Sequence, residues 1–411
     1  MARTAQRLPT GAQITEKLAL SVLLRAVPRR VIDEVLVSTG RQGQRERDLP
    51  APVMVYYCIA MALFMPVAYR EVLRWLFEGM EPLGTTAAPR TVATKSSISR
   101  ARGRLGAAPM RELFARLVHP VAAKGSPGAW YRQWRLVSID GTTLDLPDTP
   151  ENEATFGRPP ASRGRSAFPQ VRLLGLVECA SHVLFHLAFG PYRVGETTLA
   201  ATVFNGLTPE MLCLADRGFF TYHKWLQATA TGAALVWRLT RTIAMPVLER
   251  YPDGSYRSVI YADRVARRLQ RGGISVRVIE YKLPGVADAE PIYRLITNLL
   301  DCQQAPAKEL IACYLQRWEI ELTFDELKTH LRGGQVVLRS KLPALVEQEI
   351  YSLVVAHFAV RGLMQEAAEA AHIDPDRLSY IHAVRVIRRR LPAFAALPPS
   401  GPGAVAPAAP Q

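Results

Sequence analysis

Cysteine is sparse and badly placed for either of its usual structural uses. The 411-residue chain has five, Cys58, Cys179, Cys213, Cys302 and Cys313. Their odd number, their scatter and the lack of any CxxC pair argue against a disulfide scaffold and against a thiolate zinc site. Buried free thiols in a reducing cytoplasm are the expectation. The eight histidines form no ligand cluster in the sequence. The first residues are polar and basic without an apolar stretch, unlike a signal peptide. Long hydrophobic runs are missing too. The most apolar one, residues 53–69, is short for a membrane span and is broken by Pro66, so a buried helix is expected and no membrane partner. Acid is the other shortage. Against 51 Lys+Arg stand 36 Asp+Glu, a formal net charge of +15. That excess points to a polyanionic partner, nucleic acid in the first place.

What the chain does contain is the composition of a folded protein, 49% hydrophobic and 21% charged, over a length that suits two or three domains. Residues 1 to about 12 read as a disordered lead. From Ile14 to about Met80 apolar residues recur at helical spacing, punctuated by Pro28, Gly40, Pro50 and Pro66. Residues 94–105 follow as a helix carrying Lys95, Arg100, Arg102 and Arg104 with no acid nearby. Two readings of it stay open: a DNA-contacting helix with phosphate at its first turn, or a solvated basic face.

A Pro/Gly-rich stretch at 125–128 marks a boundary. Beyond it, alternating apolar residues predict a strand ending at Asp140-Gly141, with Asp145 as a second acid close by. The loop 152–170, with Arg158, Arg163 and Arg165, reads as flexible and cationic. Apolar runs at 171–178 and 183–189 read as strands, 198–204 as a short helix, and 211–216 as a buried strand whose last residue is Asp216. A buried strand does not ordinarily end in an acid unless that acid is paired or ligating; Arg217 is the neighbouring partner. Helix 222–228 and strand 233–239 complete the pattern. Three strands, then strand, helix and strand, describe an α/β, RNase H-like core, a mixed sheet flanked by helices, preceded by an all-α N-terminal domain. Between 241 and 300 a hairpin with an Asp253-Gly254 turn and two further strands form a β-rich insertion. Its Arg264, Arg267, Arg268, Arg271 and Arg277 are candidate DNA contacts. Trp237, just before it, is either a core residue or a stacking wedge for a flipped base.

The stretch from Tyr314 to Lys328 has no Gly or Pro and predicts one continuous helix. At 100° per residue, Tyr314, Arg317, Glu321 and Lys328 fall within about 60° of one another, on one ridge about 21 Å long. A row of phenol, guanidinium, carboxylate and ammonium suits an anionic polymer together with a metal ion. Asp325 shares that face and rivals Glu321. Residues 346–363 then read as a long apolar helix, 381–390 as another, and the Pro/Ala/Gly-rich tail from Leu391 as disordered.

The spacing Tyr-x2-Arg-x3-Glu-x6-Lys resembles the signature of the insertion-sequence-four family of bacterial DDE transposases. So do the segment SIDGTTLDLPDTPEN around Asp140 and the segment ADRGF around Asp216. The phrases VIDEVL, LPAPVMVYYCIAMALF and YREVLRWL resemble that family's N-terminal domain, and the likeness covers roughly Ile14 to Leu363. It implies a helical DNA-binding domain over 1–125, an RNase H-like catalytic domain over 130–345 interrupted by the 241–300 insertion, a helical region over 346–390 and a tail over 391–411. It implies cut-and-paste transposition: metal-dependent cleavage at the element ends, then strand transfer into target DNA. By the same likeness Asp140, Asp216 and Glu321 are the catalytic and metal-binding residues, with Asp140 preferred to Asp145 and Glu321 to Asp325. They would hold two Mg2+ ions, which Mn2+ can replace, with Asp140 bridging both. Tyr314, Arg317 and Lys328 are the implied phosphate contacts; Arg217, Trp237, Arg100, Arg102 and Arg104 are further DNA candidates. The partners are double-stranded DNA, as terminal inverted repeats and as target, and a second copy of the chain in a homodimeric synaptic complex. Two other function classes compete. The intact acids and the four-residue row disfavour a non-catalytic, transposase-derived DNA-binding protein. The N-terminal domain and the insertion disfavour a stand-alone RNase H-like nuclease.

Overall fold

The computed structural model describes residues 25–43, 48–80, 92–160, 168–283, 290–331 and 337–389. The expected lead, the tail, and Arg163 and Arg165 lie outside them. Among the described residues the α-helices are α1 (Arg29–Ser38), α2 (Ala51–Leu63), α3 (Tyr69–Met80), α4 (Lys95–Leu105), α5 (Ala108–Leu117), α6 (Pro150–Phe156), α7 (Glu196–Phe204), α8 (Tyr222–Ala230), α9 (Arg264–Arg268), α10 (Ala307–Leu315), α11 (Glu319–Asp325), α12 (Pro343–Ala371) and α13 (Tyr380–Arg389). The strands are β1 (Trp130–Tyr131), β2 (Trp134–Asp145), β3 (Gln170–Glu178), β4 (Leu184–Pro191), β5 (Met211–Ala215), β6 (Ala234–Arg238), β7 (Glu249–Arg250), β8 (Tyr256–Ile260), β9 (Ile274–Tyr281) and β10 (Tyr293–Thr297).

All ten strands share one mixed sheet in the order β4-β3-β2-β5-β6-β10-β9-β8-β7, with β1 on the start of β2. β2 is antiparallel to β3 and parallel to β5, which is parallel to β6. That is the RNase H-like core. The insertion does not stand apart from it. β10 pairs antiparallel with β6, and β9, β8 and β7 continue outward, so the insertion covers an edge the core would otherwise leave open. The two sheet faces carry separate cores. Val137, Ile139, Trp225 and Trp237 belong to one, and Leu136, Leu214, Leu310 and Tyr314 to the other. With both faces covered, β5 reads as an unbroken apolar run, and all five of its residues are buried.

Several expectations need correction. β2 does not stop at Gly141; it pairs with β3 from Val137 to Asp145, because Gly175 and Leu174 continue the ladder opposite Asp140 and Gly141. Asp145 lies an odd number of residues from Asp140 and so faces the other side, where it accepts a bond from Gln170 Nε2 at 2.7 Å. The loop expected at 152–170 starts inside α6. Asn152 is buried there, and Arg158 is taken up by Asp148 and Glu153. Trp237 is fully buried, stacked on Phe204 at 5.7 Å and edge-on to Trp225 at 5.3 Å, so it is a core residue and not a wedge. Arg277 is fully buried too, bonded to Ser255, Asp253 and the carbonyl of Ala305, which removes it from DNA.

Helix α4 divides its arginines. Arg102 shares a face with Ile98, Ala101 and Leu105, which buries it. Its Nε donates to Gln348 Oε1 at 2.9 Å and its Nη2 to Ser340 Oγ at 2.9 Å. Gln348 returns bonds to the carbonyls of Arg102 (3.1 Å) and Gly106 (2.7 Å). Arg102 is therefore a tie between the N-terminal helices and α12, and no DNA backbone can reach it. Arg100 and Arg104 stay exposed. Helix α12 begins at Pro343 rather than at 346, with Pro in its first turn, and ends at His372, whose φ of 53° closes the helix in the left-handed region. The apolar run 53–69 falls largely in α2, which is buried along nearly its whole length. Among the described residues no helix is long and apolar enough to cross a membrane.

Candidate active site

The parallel register pairs Ile139 with Ala215, the last pair before β5 ends. Asp140 and Asp216 follow these two residues, so they stand side by side on strands about 4.8 Å apart. Beyond that point, among the described residues, β2 has no partner on its β5 side until Val337 bridges Asp145, and the sheet opens in between. Asp216 sits at the head of the tight turn Arg217–Phe219 and accepts no capping bond from it. Its Oδ1 is buried without a hydrogen bond, with Arg238 Nη1 3.6 Å away.

The third acid comes from the stretch expected as one helix. It is continuous in path but not in hydrogen bonding. α10 passes through a 3-10 turn, Gln316–Trp318, into α11, and α11 into a π-helical turn, Glu326–His330, closed by Leu331 N–H on the Glu326 carbonyl at 2.8 Å. No Gly or Pro causes this. The π turn coincides with a buried anchor: Glu326 accepts from His357 Nε2 (2.9 Å) and from Arg361 Nε (2.9 Å).

The row still meets β2. Arg317, 5% exposed, places Nη1 3.5 Å from Asp140 Oδ2 and Nη2 3.6 Å from Glu321 Oε1. Lys328 Nζ donates to Thr142 Oγ1 at 3.1 Å. Tyr314 is buried, its hydroxyl has no hydrogen bond, and Arg317, Asp216 and Arg238 are its charged neighbours. Of the rivals, Asp325 is paired with His330 at 3.0 Å. Arg217 is exposed and turns to Glu290 at 3.0 Å, not to Asp216.

Two side chains at this site were not picked out in the sequence. Arg238 follows Trp237, which pairs with Ala215, so the register alone puts it beside Asp216. Glu290 holds it at 2.6 Å and Tyr293 stacks on it at 4.9 Å. Glu196 opens α7, pairs with Arg172 at 3.0 Å and lies against Gly141. Charge and burial act together on Asp140. Burial raises its carboxyl, the Gly141 N–H (2.8 Å) and Arg317 oppose the rise, Glu196 and Glu321 add to it, and the balance is a pKa pushed up to about 6.

A second group, His182, Glu319 and Asp376, lies close enough to share an ion. A proton fills that role better. Burial alone would lower His182, but its bonds to Asp376, Glu319 and Glu326 raise it to about 10. The Asp140 region has the opposite character. An unbonded, buried carboxylate oxygen on Asp216, beside a second carboxylate on the adjoining strand and a third across Arg317, is a donor set for a hard divalent cation.

Residues 17–115 match the family model described as insertion element 4 transposase N-terminal, and residues 133–358 match the transposase DDE domain. The transposase InsG for insertion sequence element IS4 of Escherichia coli (strain K12) is 28% identical over 372 residues, 88% of this chain and 80% of that one. The putative transposase InsZ of the same organism is 26% identical over 226 residues, 54% and 73% of the two chains. Among solved structures, the cryo-EM structure of the piggyBac transposase synaptic complex with hairpin DNA aligns over 94% of this chain and 81% of that one, at 9% identity and a TM-score of 0.42. A DDE domain works on DNA and depends on divalent metal. With family models matched over both the helical and the catalytic parts, the chain belongs to the insertion element 4 family of DDE transposases, bacterial insertion-sequence enzymes of DNA cleavage and strand transfer.

Proposed function

We propose that Asp140, Asp216 and Glu321 are the catalytic carboxylates of this transposase and that they hold two Mg2+ ions, for which Mn2+ can substitute. The observation that carries this is the register that brings Asp140 and Asp216 together where β5 stops, with Arg317 spanning Asp140 and Glu321. When bound, such a pair of ions activates the attacking water or 3′-hydroxyl and stabilises the leaving oxygen. The chain's own groups do the rest. Arg317 offsets the mutual repulsion of two carboxylates and offers a planar guanidinium to a phosphate. The Tyr314 hydroxyl, without a hydrogen bond of its own, is a ready donor to a phosphate oxygen. Lys328 adds a point charge on the exposed side.

The helical N-terminal part is the DNA-binding module in this reading, with Lys95, Arg100 and Arg104 exposed on α4. The insertion contributes Arg264, Arg267, Arg268 and Arg271, all exposed, and Arg217 a further cation near the cut. These contacts position the duplex without reading its sequence. Joining two element ends to a target needs two active sites, so the working form is a homodimer on paired terminal inverted repeats.

The test is cleavage of a supercoiled donor plasmid carrying the flanking inverted repeats, with Mg2+, by wild type and by Asp140→Ala, Asp216→Ala and Glu321→Ala. Excision by wild type, with each variant binding the ends but cutting at background, is the expected result. A variant that cuts at the wild-type rate removes its residue from the catalytic set.

A further inference from the structure

The strand that carries Asp140 has a glycine next to it, and the space a side chain would fill is occupied by an acid. A Cβ placed on Gly141 would come within 2.5 Å of Glu196 Cδ and 2.6 Å of Glu196 Oε1. Gly141 pairs with Leu174 in the middle of a ladder and needs no special backbone conformation, so the missing Cβ is what lets the Glu196 carboxylate lie against the strand. Three further features hold it there. Arg172 Nη1 donates to Glu196 Oε1 at 3.0 Å. Arg172 itself is fixed by its Nε bond to the Tyr192 carbonyl (3.3 Å) and by stacking over the Tyr192 ring at 5.0 Å. And β2 has lost its β5 neighbour beyond Ile139, so at the open strand edge of residues 140–142 Glu196, coming from α7 on the Gly141 face, meets the groups of α10 and α11 coming from the Asp140 face, close enough for its charge to act on Asp140. The helix dipole favours an acid in a first turn. It does not account for a carboxylate turned onto the glycine beside Asp140, nor for the arginine that keeps it in place.

We infer that Glu196 is a fourth acid of the active site, a positioning residue that acts on the divalent cation held at Asp140 by accepting hydrogen bonds from that cation's water shell. This rests on reading Asp140 as a metal ligand. Outer-shell groups that orient the ligands and waters of a bound ion are worth about 10–100-fold in metal affinity, and Glu196 is expected to fall in that range.

The test is Mn2+ binding to the full-length protein, followed by electron paramagnetic resonance, for wild type, Glu196→Gln, Gly141→Ala and Asp140→Asn. Glutamine keeps the size of the side chain and an oxygen for Arg172, so the melting temperature of Glu196→Gln serves as the folding control. The expected result is unchanged melting with Mn2+ affinity lowered about 10–100-fold. Gly141→Ala, which displaces the carboxylate, should reproduce that loss, and the double variant should lose no more than either single one. Asp140→Asn should abolish the site. If Asp140→Asn abolishes binding while Glu196→Gln binds Mn2+ like wild type, Glu196 is only the partner of Arg172 and the inference falls, with the carboxylate assignment intact. If Asp140→Asn also leaves affinity unchanged, the assignment itself falls and takes the inference with it.

Discussion

Asp140 is the residue whose chemistry depends most on its neighbours. Burial is the largest influence on it and lifts its carboxyl to about 6. The sign of the consequence is fixed. A group whose folded pKa is raised favours folding in its protonated form below its unfolded value, and that contribution is lost as pH rises through about 6. Metal needs the other form, since protons compete with the cation for the carboxylate. Apparent Mg2+ affinity should therefore be flat above about pH 6 and fall roughly tenfold per unit below it. The half-saturating Mg2+ concentration for donor cleavage at pH 5, 6, 7 and 8 measures this; a flat profile down to pH 5 would sink it. Arg317 is the counterweight, buried between Asp140 and Glu321. Arg317→Ala leaves those carboxylates facing each other, so the acid limb of the same profile should move to higher pH and cleavage should drop about 100-fold or more, the scale seen when one preorganised donor is removed. Arg317→Lys keeps the charge but loses the fork that spans both acids, and should recover the pH limb better than the rate.

At the level of elements, the catalytic stretch is held from behind. Glu326, in the π turn, is bonded to His357 and Arg361, both buried, and Arg361 also contacts His182 in the β3–β4 turn. Burial alone would raise Glu326, but its bonds to His182 and His357 and the charge of Arg361 keep it well below the usual carboxylate range. Breaking a buried pair typically costs about 3–5 kcal/mol, and Glu326→Gln should lower stability in urea by about that much. His182 gives the network a pH signature. Its folded pKa of about 10 lies above its ordinary value, so its contribution is complete below about 6.5 and disappears as pH climbs through about 10. The urea midpoint should decline between pH 7 and 10, and His182→Asn should flatten that decline. The same elements mark where sequence stops being informative. The strand leading to Asp140 and the buried strand ending in Asp216 were legible because alternation and an acid after an apolar run are local patterns. The ridge from Tyr314 to Lys328 was legible because its spacing follows the helical period. The π turn was not, since its anchors Arg361 and His357 lie some thirty residues further on. Nor was Glu196, which meets Gly141 only after β3 and β4 have folded back.

At the scale of the whole molecule, the +15 net charge divides into arginines that face water and arginines that hold the protein together. Sequence could not separate them: Arg100, Arg102 and Arg104 alternate along one segment, yet only Arg102 points into α12, and Arg277 shares the insertion with Arg264, Arg267 and Arg268 but is fully buried. Salt dependence separates the two kinds. Each phosphate neutralised adds about 0.9 to the slope of log K against log salt, so an exposed arginine that touches the backbone should show in that slope, and a buried one should not. Replacing Arg264, Arg267 and Arg268 together by Ala is expected to reduce the slope by up to about 2.7 with the melting temperature unchanged. Arg102→Ala should leave the slope as it was and instead lower stability by about 1–3 kcal/mol, through the buried Gln348 and Ser340 oxygens it would strand. Binding of terminal-repeat DNA by fluorescence anisotropy from 50 to 300 mM KCl, with urea unfolding of each variant, decides both. An unchanged slope in the triple variant would take the insertion out of the DNA interface and leave α4 and the Tyr314–Lys328 ridge as the cationic surface that meets the duplex.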